Sequence, residues 1–396
     1  MNIDFARTEF GKEEVEAVHR VLSGYWFASG PENEAFEKEF AAYVGVKHAV
    51  CVNSGSSANL IGLSALRLPK NSKVLTPACG FPATLAPILH LGLEPVLVDY
   101  DLQTHNMDVE EALRKLDQVQ AALFAHTLGN PVDVQAIVRA ASERGVAVIE
   151  DCCEAVGSKV NGRSVGSFGT LGTFSFYPAH QITAFGGGGM IVTNDDRIAK
   201  ECRSLRDWGK VWDWNDTLGD HKTRYTEPID GIRYYRHYTY QTIGYNAKLP
   251  EVNAAFGRAQ LGRLDGWVKR RIENFAYLSE KIRKTELFVK VISPAGSEPS
   301  WFGFPLTLSG QGPLGRDSLG DWFESKGIRT RPFFAGNITR HTPFRHLFRE
   351  FPVADKLMRD SMFVGVWQGL EQKHFDYMAE QIEQWMASAI VSPKEA

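Results

Sequence analysis

The chain lacks several features that would assign it to a specialised class of protein. Among its 396 residues there are five cysteines, none in a CxxC spacing and none after Cys202. Such a set does not form a disulfide framework and is typical of reduced, mostly buried thiols. No apolar run approaches the roughly 20 residues of a membrane span, and the N-terminus has no signal-peptide core. We therefore expect a cytoplasmic protein that has no membrane partner.

The chain also carries little net charge. Its 44 basic and 47 acidic side chains leave a net charge of −3, so no overall field favours nucleic acid or an anionic membrane surface. Hydrophobic residues make up 43% and charged residues 23% of the chain, which is ordinary for a globular protein. A chain of this length can bury a sizeable core in about two domains.

Short β-branched runs alternate with segments of helical length between about residues 48 and 200. The predicted strands are 48–52, 73–76, 95–99, 121–125 and 146–150. Two of the predicted helices between them are 56–68 and 132–144. Continuous apolar strands with helices between them predict an α/β fold whose mainly parallel sheet is covered on both faces. Ligands of such sheets bind beyond the carboxyl ends of the strands.

The pattern changes near residue 250. Amphipathic helices are predicted at 11–22 and 31–44, and a long helix from about 250 to 284 is followed by a strand at 302–308. We predict an N-terminal segment and large domain over residues 1–250 and a small C-terminal α+β domain over residues 251–396. The segment 209–240 lacks periodicity, and a loop of that length is usually functional.

Two motifs lie at the carboxyl ends of predicted strands. Asn53-Ser-Gly-Ser-Ser-Ala-Asn59 opens a helix, so the backbone N–H groups of Gly55 and Ser56 can face an anion. Taken alone, this motif is equally well an ordinary helix cap. Val148-Ile-Glu-Asp151 ends a strand on two acids, and Asp151 can either meet a ligand or cap the next turn.

A third motif is Thr173-Phe-Ser-Phe-Tyr-Pro-Ala-His-Gln-Ile-Thr183. It carries the hydroxyl of Ser175 in a predicted strand and the imidazole of His180 a few residues later. A single histidine in such a place is usually structural, so only its context makes His180 a candidate for chemistry.

Together with Gly244-Tyr-Asn-Ala-Lys-Leu-Pro-Glu-Val-Asn-Ala-Ala255, these motifs occur in the order found in the DegT/DnrJ/StrS family of sugar aminotransferases, which use pyridoxal 5′-phosphate (PLP). The resemblance covers essentially the whole chain. It implies the aspartate-aminotransferase-like fold (PLP fold type I), with a large domain built on a mainly parallel mixed sheet. It also implies a homodimer with active sites at the subunit interface.

The resemblance further implies a role for individual residues in binding the cofactor. Asp151 would face the pyridine nitrogen, and a carboxylate there would let the ring withdraw electrons. The phosphate would bind to Gly55, Ser56, Ser175 and Asn246 of the neighbouring subunit. Phe81 would stack on the pyridine ring, and Glu154 would lie near the 3-hydroxyl.

His180 stands where the family carries the lysine that binds PLP covalently. No lysine lies between Lys159 and Lys200, and an imidazole cannot form a Schiff base but can move protons near pH 7. The match narrows to a subgroup through four segments, 80–82, 125–131, 175–180 and 329–340. They resemble the nucleotide-sugar 3-dehydratases, which have histidine in place of that lysine.

The subgroup implies a definite reaction. Glutamate converts non-covalently bound PLP to pyridoxamine phosphate (PMP), and a nucleotide-linked 4-keto-6-deoxyhexose loses its C3 hydroxyl with His180 as acid and base. Imine hydrolysis then releases a 3-deoxy-4-keto sugar and ammonia. The resemblance is strongest to the GDP-4-keto-6-deoxymannose 3-dehydratases of colitose biosynthesis, a sugar of lipopolysaccharide O-antigen.

Members of the ascarylose type differ by an iron–sulfur cluster held by four cysteines and reduced by a partner protein. Cys153 stands at the first of those positions, but residues 203–396 contain no cysteine. Cluster ligation normally takes four thiolates. We therefore expect no metal and no reductase partner.

Three arginines, Arg329, Arg331 and Arg340, are candidates for binding the sugar diphosphate or the glutamate carboxylate, because guanidinium forks suit such anions. Each could equally form a surface ion pair. The stretch Phe185-Gly-Gly-Gly-Gly189 is one residue longer than its family counterpart and lacks a glutamate. The loop beside His180 is therefore expected to differ.

Two alternatives remain open. The chain could be an ordinary nucleotide-sugar aminotransferase that uses another lysine. It could also be a non-catalytic protein with the PLP fold, because a fold by itself does not guarantee an activity.

Overall fold

The computed structural model describes residues 1–24, 26–211, 228–310 and 315–391. Of the segment 209–240, for which a functional role is predicted, residues 212–227 lie outside the described residues.

The helices of the described residues are α1 Lys12–Ser23, α2 Pro31–Val44, α3 Gly55–Ala65, α4 Pro82–His90, α5 Val109–Lys115, α6 Val134–Ser142, α7 Asp196–Arg206, α8 Glu251–Leu261, α9 Leu264–Ile282, α10 Arg316–Ser325, α11 Pro352–Asp360 and α12 Gln372–Val391. The strands are β1 His48–Val52, β2 Lys73–Pro77, β3 Glu94–Val98, β4 Tyr100–Asp101, β5 Asn106–Met107, β6 Ala121–Ala125, β7 Ala147–Asp151, β8 Lys159–Val160, β9 Arg163–Ser164, β10 Leu171–Ser175, β11 Gly189–Thr193, β12 Ser297–Glu298, β13 Gly303–Thr307, β14 Thr330–Pro332 and β15 Ser361–Gly365.

A seven-stranded sheet in the order β1-β11-β10-β7-β6-β2-β3 forms the centre of the larger part of the chain. The pairs from β10 to β3 are parallel, whereas β11 runs antiparallel to both of its neighbours. The sheet is therefore mixed and mainly parallel, as predicted. Because β1, β7 and β10 point in one direction, their carboxyl ends meet at the same edge, which is where ligands bind in such sheets.

Both faces of this sheet are buried. Along the central strands successive residues belong to opposite cores: Leu123 and Ile149 pack on one side, Phe124 and Val148 on the other. Side chains alternate along a strand, so continuous apolar runs place apolar groups on both faces. The covering helices therefore leave most residues of the central strands buried.

The sequence pattern located the early elements closely. Strands β1 and β6 and helix α2 have the predicted bounds. The single long helix predicted from about 250 to 284 was wrong, since α8 ends before Gly262 and α9 begins at Leu264. The break lets α8 pack on α1 and α2 while α9 packs on α12; one straight helix could not follow both surfaces.

A three-stranded antiparallel sheet, β13-β15-β14, lies in the C-terminal region. Ile3, at the start of the chain, pairs with Ile328 and packs in the core of this region. The division into domains at residue 250 remains a prediction. None of the described helices combines the length and the apolar character needed to cross a bilayer.

Glu37 of α2 is a buried carboxylate that joins three elements. It accepts hydrogen bonds from Arg203 Nη1 at 2.5 Å and Arg206 Nη1 at 2.7 Å, both on α7, and from the Cys51 N–H of β1 at 2.8 Å. Burial opposes ionisation, but the two guanidinium groups outweigh it and hold the pKa of Glu37 below its usual value. The carboxylate is thus ionised inside the protein.

We expect Glu37→Ala to lower the free energy of unfolding by about 3 kcal/mol, because it removes the buried carboxylate that the guanidinium groups of Arg203 and Arg206 share. Urea unfolding measures the loss. The matched control is Glu39→Ala on the same helix, where the carboxylate pairs with Arg258 at the surface and should contribute about 1 kcal/mol or less. Equal losses in the two variants would contradict the assignment.

Candidate active site

The turn that opens α3 lies against the residues that follow β7 and β10. A Cβ atom placed on Gly55 would lie 2.6 Å from Cys153 Sγ and 2.7 Å from Ser175 Cβ. Position 55 therefore admits only glycine. Its missing side chain lets the backbone of the first helical turn come close to the ends of two neighbouring strands.

This first turn offers free N–H groups. Ser54 caps the helix by accepting the Ser57 N–H at 3.1 Å, but no hydrogen bond among the described residues takes the N–H of Gly55 or Ser56. The hydroxyl of Ser175 accepts the Tyr177 N–H at 3.3 Å. Free N–H groups at a helix N-terminus beside a hydroxyl can bind an anion such as phosphate.

Asp151, at the end of β7, is held on several sides. Its Oδ2 accepts Asn59 Nδ2 at 2.7 Å and Thr84 Oγ1 at 2.9 Å, and its Oδ1 accepts the Cys153 N–H at 3.1 Å. The side chain thus caps a turn and is also fixed at the sheet edge, so both roles considered from the sequence are compatible. Sequence reasoning missed the supporting side chains, although Asn59 ends the first motif.

Phe81 lies three residues before Thr84, which bonds to Asp151, and Glu154 lies three residues after Asp151. Phe81 lies at the N-terminus of α4 with 58% of its surface exposed, an unusual fraction for an aromatic ring beside a site. Glu154 Oε2 accepts the Leu128 N–H at 2.7 Å. Burial, reinforced by the charge of Asp151, raises the pKa of Glu154 to about 8 despite that hydrogen bond, so the carboxyl is largely protonated at pH 7.

His180 lies in a turn after β10, where its N–H donates to the Tyr177 carbonyl at 2.9 Å. Its ring packs on Phe302 with centroids 5.1 Å apart. Imidazole Nδ1 is buried and has no hydrogen-bond partner among the described residues. Burial, and then the charge of Arg271, lower the pKa of His180 to about 3, so the ring is neutral at pH 7.

The glycine-rich loop after His180 is held from α8. Asn253 Nδ2 donates to the carbonyls of Ala184 at 2.7 Å and Gly187 at 2.9 Å. Phe185 adopts a left-handed conformation with φ of 48°, and its ring is exposed. The loop is therefore clamped by an amide side chain from the motif at 244–255.

The three candidate arginines have different surroundings. Arg329 pairs with Glu324 at 2.7 Å and Arg340 pairs with Asp355, so a carboxylate already neutralises each of them. Arg331, on β14, makes no ion pair among the described residues.

Arg331 lies over the ring of Phe5 at 5.3 Å. Phe5 contacts Phe302, whose ring packs on the imidazole of His180. Arg331 is therefore the candidate arginine that is connected to His180, through the packed rings of Phe5 and Phe302.

Asn246 is exposed and forms an isolated bridge with Asp207. Its predicted contact with a cofactor of a neighbouring subunit stays a prediction.

A second cluster of polar side chains consists of His126, Glu150 and Cys152. All three are buried, and they have the side-chain types of a metal site. Its members already bond to one another and to backbone. His126 Nδ1 accepts the Val132 N–H, which places the ring proton on Nε2, facing Glu150 at 3.2 Å. The carboxylate also accepts the N–H groups of Gly166, Phe168 and Gly169. We regard this group as a structural network.

Comparison with known proteins supports the sequence resemblance. The profile of the DegT/DnrJ/EryC1/StrS aminotransferase family matches residues 8–383. The chain is 36% identical to the lipopolysaccharide biosynthesis protein RfbH of Salmonella typhimurium, over 95% of this chain and 90% of that protein. It is also 36% identical to a dTDP-4-dehydro-2,6-dideoxy-D-glucose 3-dehydratase of Saccharopolyspora spinosa, over 91% and 82% of the two chains.

Solved structures give the same result for the fold. The GDP-4-keto-6-deoxymannose-3-dehydratase ColD, in a histidine-to-asparagine mutant with bound GDP-perosamine, superposes with a TM-score of 0.88 at 28% identity. The match covers 96% of this chain and all of that one. Another structure of that enzyme, with a trapped PLP-glutamate geminal diamine, gives a TM-score of 0.87. The predicted PLP fold type I is thereby confirmed.

The residues at the sheet edge fit a PLP-type cofactor. Two free N–H groups and a hydroxyl can hold a phosphate, a fixed carboxylate can face a ring nitrogen, and an exposed phenyl ring can cover a ring face. Nδ1 of His180 is buried and has no hydrogen-bond partner among the described residues, so it is available to a bound group.

The raised pKa of Glu154 predicts a dependence of stability on pH. The unfolded carboxyl has a pKa near 4.5 and the folded one about 8, so its burial costs nothing below about pH 4.5 and progressively more as the pH rises to 8. Glu154→Gln should stabilise the cofactor-free protein by on the order of 2 kcal/mol near pH 8 and not at all near pH 4.5. Urea unfolding at both pH values measures the difference, and a gain that does not depend on pH would contradict the shift.

Proposed function

The chain belongs to the DegT/DnrJ/EryC1/StrS aminotransferase family, and from this premise we propose that it is a nucleotide-sugar 3-dehydratase that uses PLP and PMP. Its substrate is a nucleotide-linked 4-keto-6-deoxyhexose, with GDP-4-keto-6-deoxymannose as the first candidate, and its amino donor is L-glutamate. The observation that carries the proposal is the neutral, partly buried imidazole of His180 after β10, where the family resemblance places a lysine.

The proposal assigns cofactor-binding roles to residues of this site. The N–H groups of Gly55 and Ser56 and the Ser175 hydroxyl bind the phosphate, and Asn246 of a second subunit completes this contact. Asp151, oriented by Asn59 and Thr84, holds a proton on the pyridine nitrogen.

Two further residues meet the cofactor ring. Phe81 covers one face of the ring, and the protonated carboxyl of Glu154 donates to its 3-oxygen. When bound, the cofactor supplies an amine for the 4-keto carbon and an electron sink.

His180 moves the protons. Burial keeps the imidazole neutral in the free protein, so a ring nitrogen has a lone pair that can take a proton. The imidazolium so formed is unfavourable in this setting and readily delivers a proton to the hydroxyl that leaves C3. A lysine here would bind the aldehyde form of the cofactor and favour a complete aminotransferase cycle. Histidine avoids that competition.

The overall reaction balances without an external reductant. Glutamate is oxidised to 2-oxoglutarate and ammonia, and the two electrons reduce C3 from an alcohol to a methylene carbon. Water is lost in the dehydration and regained in the hydrolysis of the imine. The chain contains no cysteine after Cys202, in keeping with a route that has no iron–sulfur cluster.

The nucleotide is the least constrained feature of the substrate. The superposed ColD structure contains a GDP-linked sugar, whereas a relative of 36% identity is named for a dTDP-linked sugar. We infer GDP from the resemblance to the GDP-4-keto-6-deoxymannose 3-dehydratases.

The test is incubation of the PLP-loaded protein with L-glutamate and GDP-, CDP-, dTDP- and UDP-linked 4-keto-6-deoxy sugars, followed by mass spectrometry. We expect one sugar to lose its C3 oxygen with release of ammonia, and His180→Asn to abolish that loss. Borohydride should leave the cofactor of the parent protein unattached. A 4-amino sugar as the product would identify an aminotransferase, and no change in any sugar would remove the proposal.

Arg331 generates a separate prediction, because it is the candidate arginine without a carboxylate partner among the described residues. Arg331→Ala should raise KM about tenfold for glutamate or for the nucleotide sugar, with kcat within about threefold, since it removes one charged contact to an anion. The matched control is Arg345→Ala, which removes an exposed arginine stacked on Phe348 at 4.3 Å. If neither KM changes, Arg331 does not bind an anionic substrate.

A further inference from the structure

Arg271 of α9 is a fully buried guanidinium, 1% exposed, and the described residues place no carboxylate in an ion pair with it. Buried charged groups are normally paired. Here the hydrogen-bond acceptors are neutral oxygens: Nε donates to Gln368 Oε1 at 3.2 Å, and the two terminal nitrogens donate to backbone carbonyls. Burial lowers the pKa of Arg271 to about 9, which leaves it charged at pH 7.

The carbonyls that Arg271 contacts belong to the surroundings of the imidazole. Nη2 donates to the His180 carbonyl at 3.3 Å, and Nη1 lies 3.5 Å from the carbonyl of Phe302 and 3.2 Å from that of Trp301. Phe302 is the residue whose ring packs on the imidazole. One side chain thus holds the backbone of His180 and of the ring beside it, although the two are 122 residues apart in the chain.

The next turn of α9 offers a comparison. Asn274 is also buried and donates to the carbonyls of Val366 at 3.2 Å and Trp367 at 3.1 Å. It therefore cross-links α9 to the C-terminal region much as Arg271 does, but its side chain forms no hydrogen bond with His180 or Phe302. A purely structural role predicts equal consequences for the loss of either side chain.

We propose that Arg271 is a positioning residue for His180, which holds the carbonyls of His180 and Phe302 and so fixes the imidazole at the site. This inference rests on the proposed dehydratase function. A misplacement of about 1 Å can cost on the order of a hundredfold in rate. A buried side chain that fixes the position of the base therefore has a large effect on the rate. The positive charge of Arg271 also disfavours the imidazolium form.

The charged and titratable groups around the imidazole come from several elements. Arg271 acts from α9, and Tyr177 lies in the same turn with its ring 6.2 Å from the imidazole. Glu154 follows β7, and its carbonyl accepts Gln181 Nε2 at 2.5 Å. Glu9 acts on Arg271 rather than on His180. Among these groups, the charge that bears on the His180 ring is that of Arg271.

The first arm of the test compares Arg271→Met, Arg271→Lys and Asn274→Ala in the PLP-loaded protein. We expect Arg271→Met to lower kcat for dehydration about a hundredfold with KM within about threefold. Arg271→Lys, which keeps one charged donor, should recover about tenfold. Asn274→Ala should lose thermal stability but keep kcat within about threefold. Activity losses that follow the melting temperatures of all three variants would overturn the proposal.

The second arm does not depend on turnover. In cofactor-free protein labelled with ¹³C at histidine Cε1, the His180 signal is identified by its loss in His180→Asn and titrated with pH. We expect one signal that stays neutral to below about pH 5 in the parent and in Asn274→Ala. In Arg271→Met, and more weakly in Arg271→Lys, the signal should broaden or divide and protonate at a higher pH.

An unchanged His180 signal in both Arg271 variants would overturn the positioning role, whether or not any sugar is dehydrated. If the parent enzyme dehydrates none of the sugars, the proposed function is removed instead, and this second arm alone decides the positioning role. If Arg271→Met does not fold, Arg271→Lys provides the comparison in both arms.

Discussion

The hydrogen bond from Asn59 Nδ2 to Asp151 Oδ2, 2.7 Å long, joins the parts of the fold on which the site depends. Asn59 lies in α3 and itself accepts Thr173 Oγ1 of β10 at 2.5 Å, while Thr84 of α4 donates to the same carboxylate. A buried carboxylate is costly unless hydrogen bonds replace its water. Satisfying this one group therefore brings two helices and two strands to a common edge, where the remaining site residues follow.

The polar groups of the site differ in whether the protein supplies their hydrogen bonds. Asp151 has its hydrogen bonds supplied by the protein, whereas the buried Nδ1 of His180 has none among the described residues. Low local polarity keeps the imidazole neutral and the carboxyl of Glu154 protonated. A carboxylate held by hydrogen bonds, together with two uncharged groups that can still exchange protons, suits a reaction in which protons move and the cofactor takes up electrons.

Much of this arrangement was predictable because it depends on local pattern. Continuous apolar runs located β1 and β6, and an amphipathic period located α2. Local pattern failed between 250 and 284, where apolar spacing continues through Gly262 but packing on two different surfaces divides the helix. It also missed Arg271, since a run of basic residues on an amphipathic helix is ordinarily a solvent-exposed face.

The sequence by itself determined which chemical groups stand at the strand ends: the glycine at 55, the carboxylate at 151, the hydroxyl at 175 and an imidazole in place of a lysine at 180. Only the tertiary structure decided how these groups behave. It paired Arg329 and Arg340 with carboxylates and left Arg331 without one among the described residues. It also set the protonation of the imidazole. Desolvation and Coulomb interactions depend on distance in space, so residues far apart in the chain contribute as strongly as neighbours in sequence.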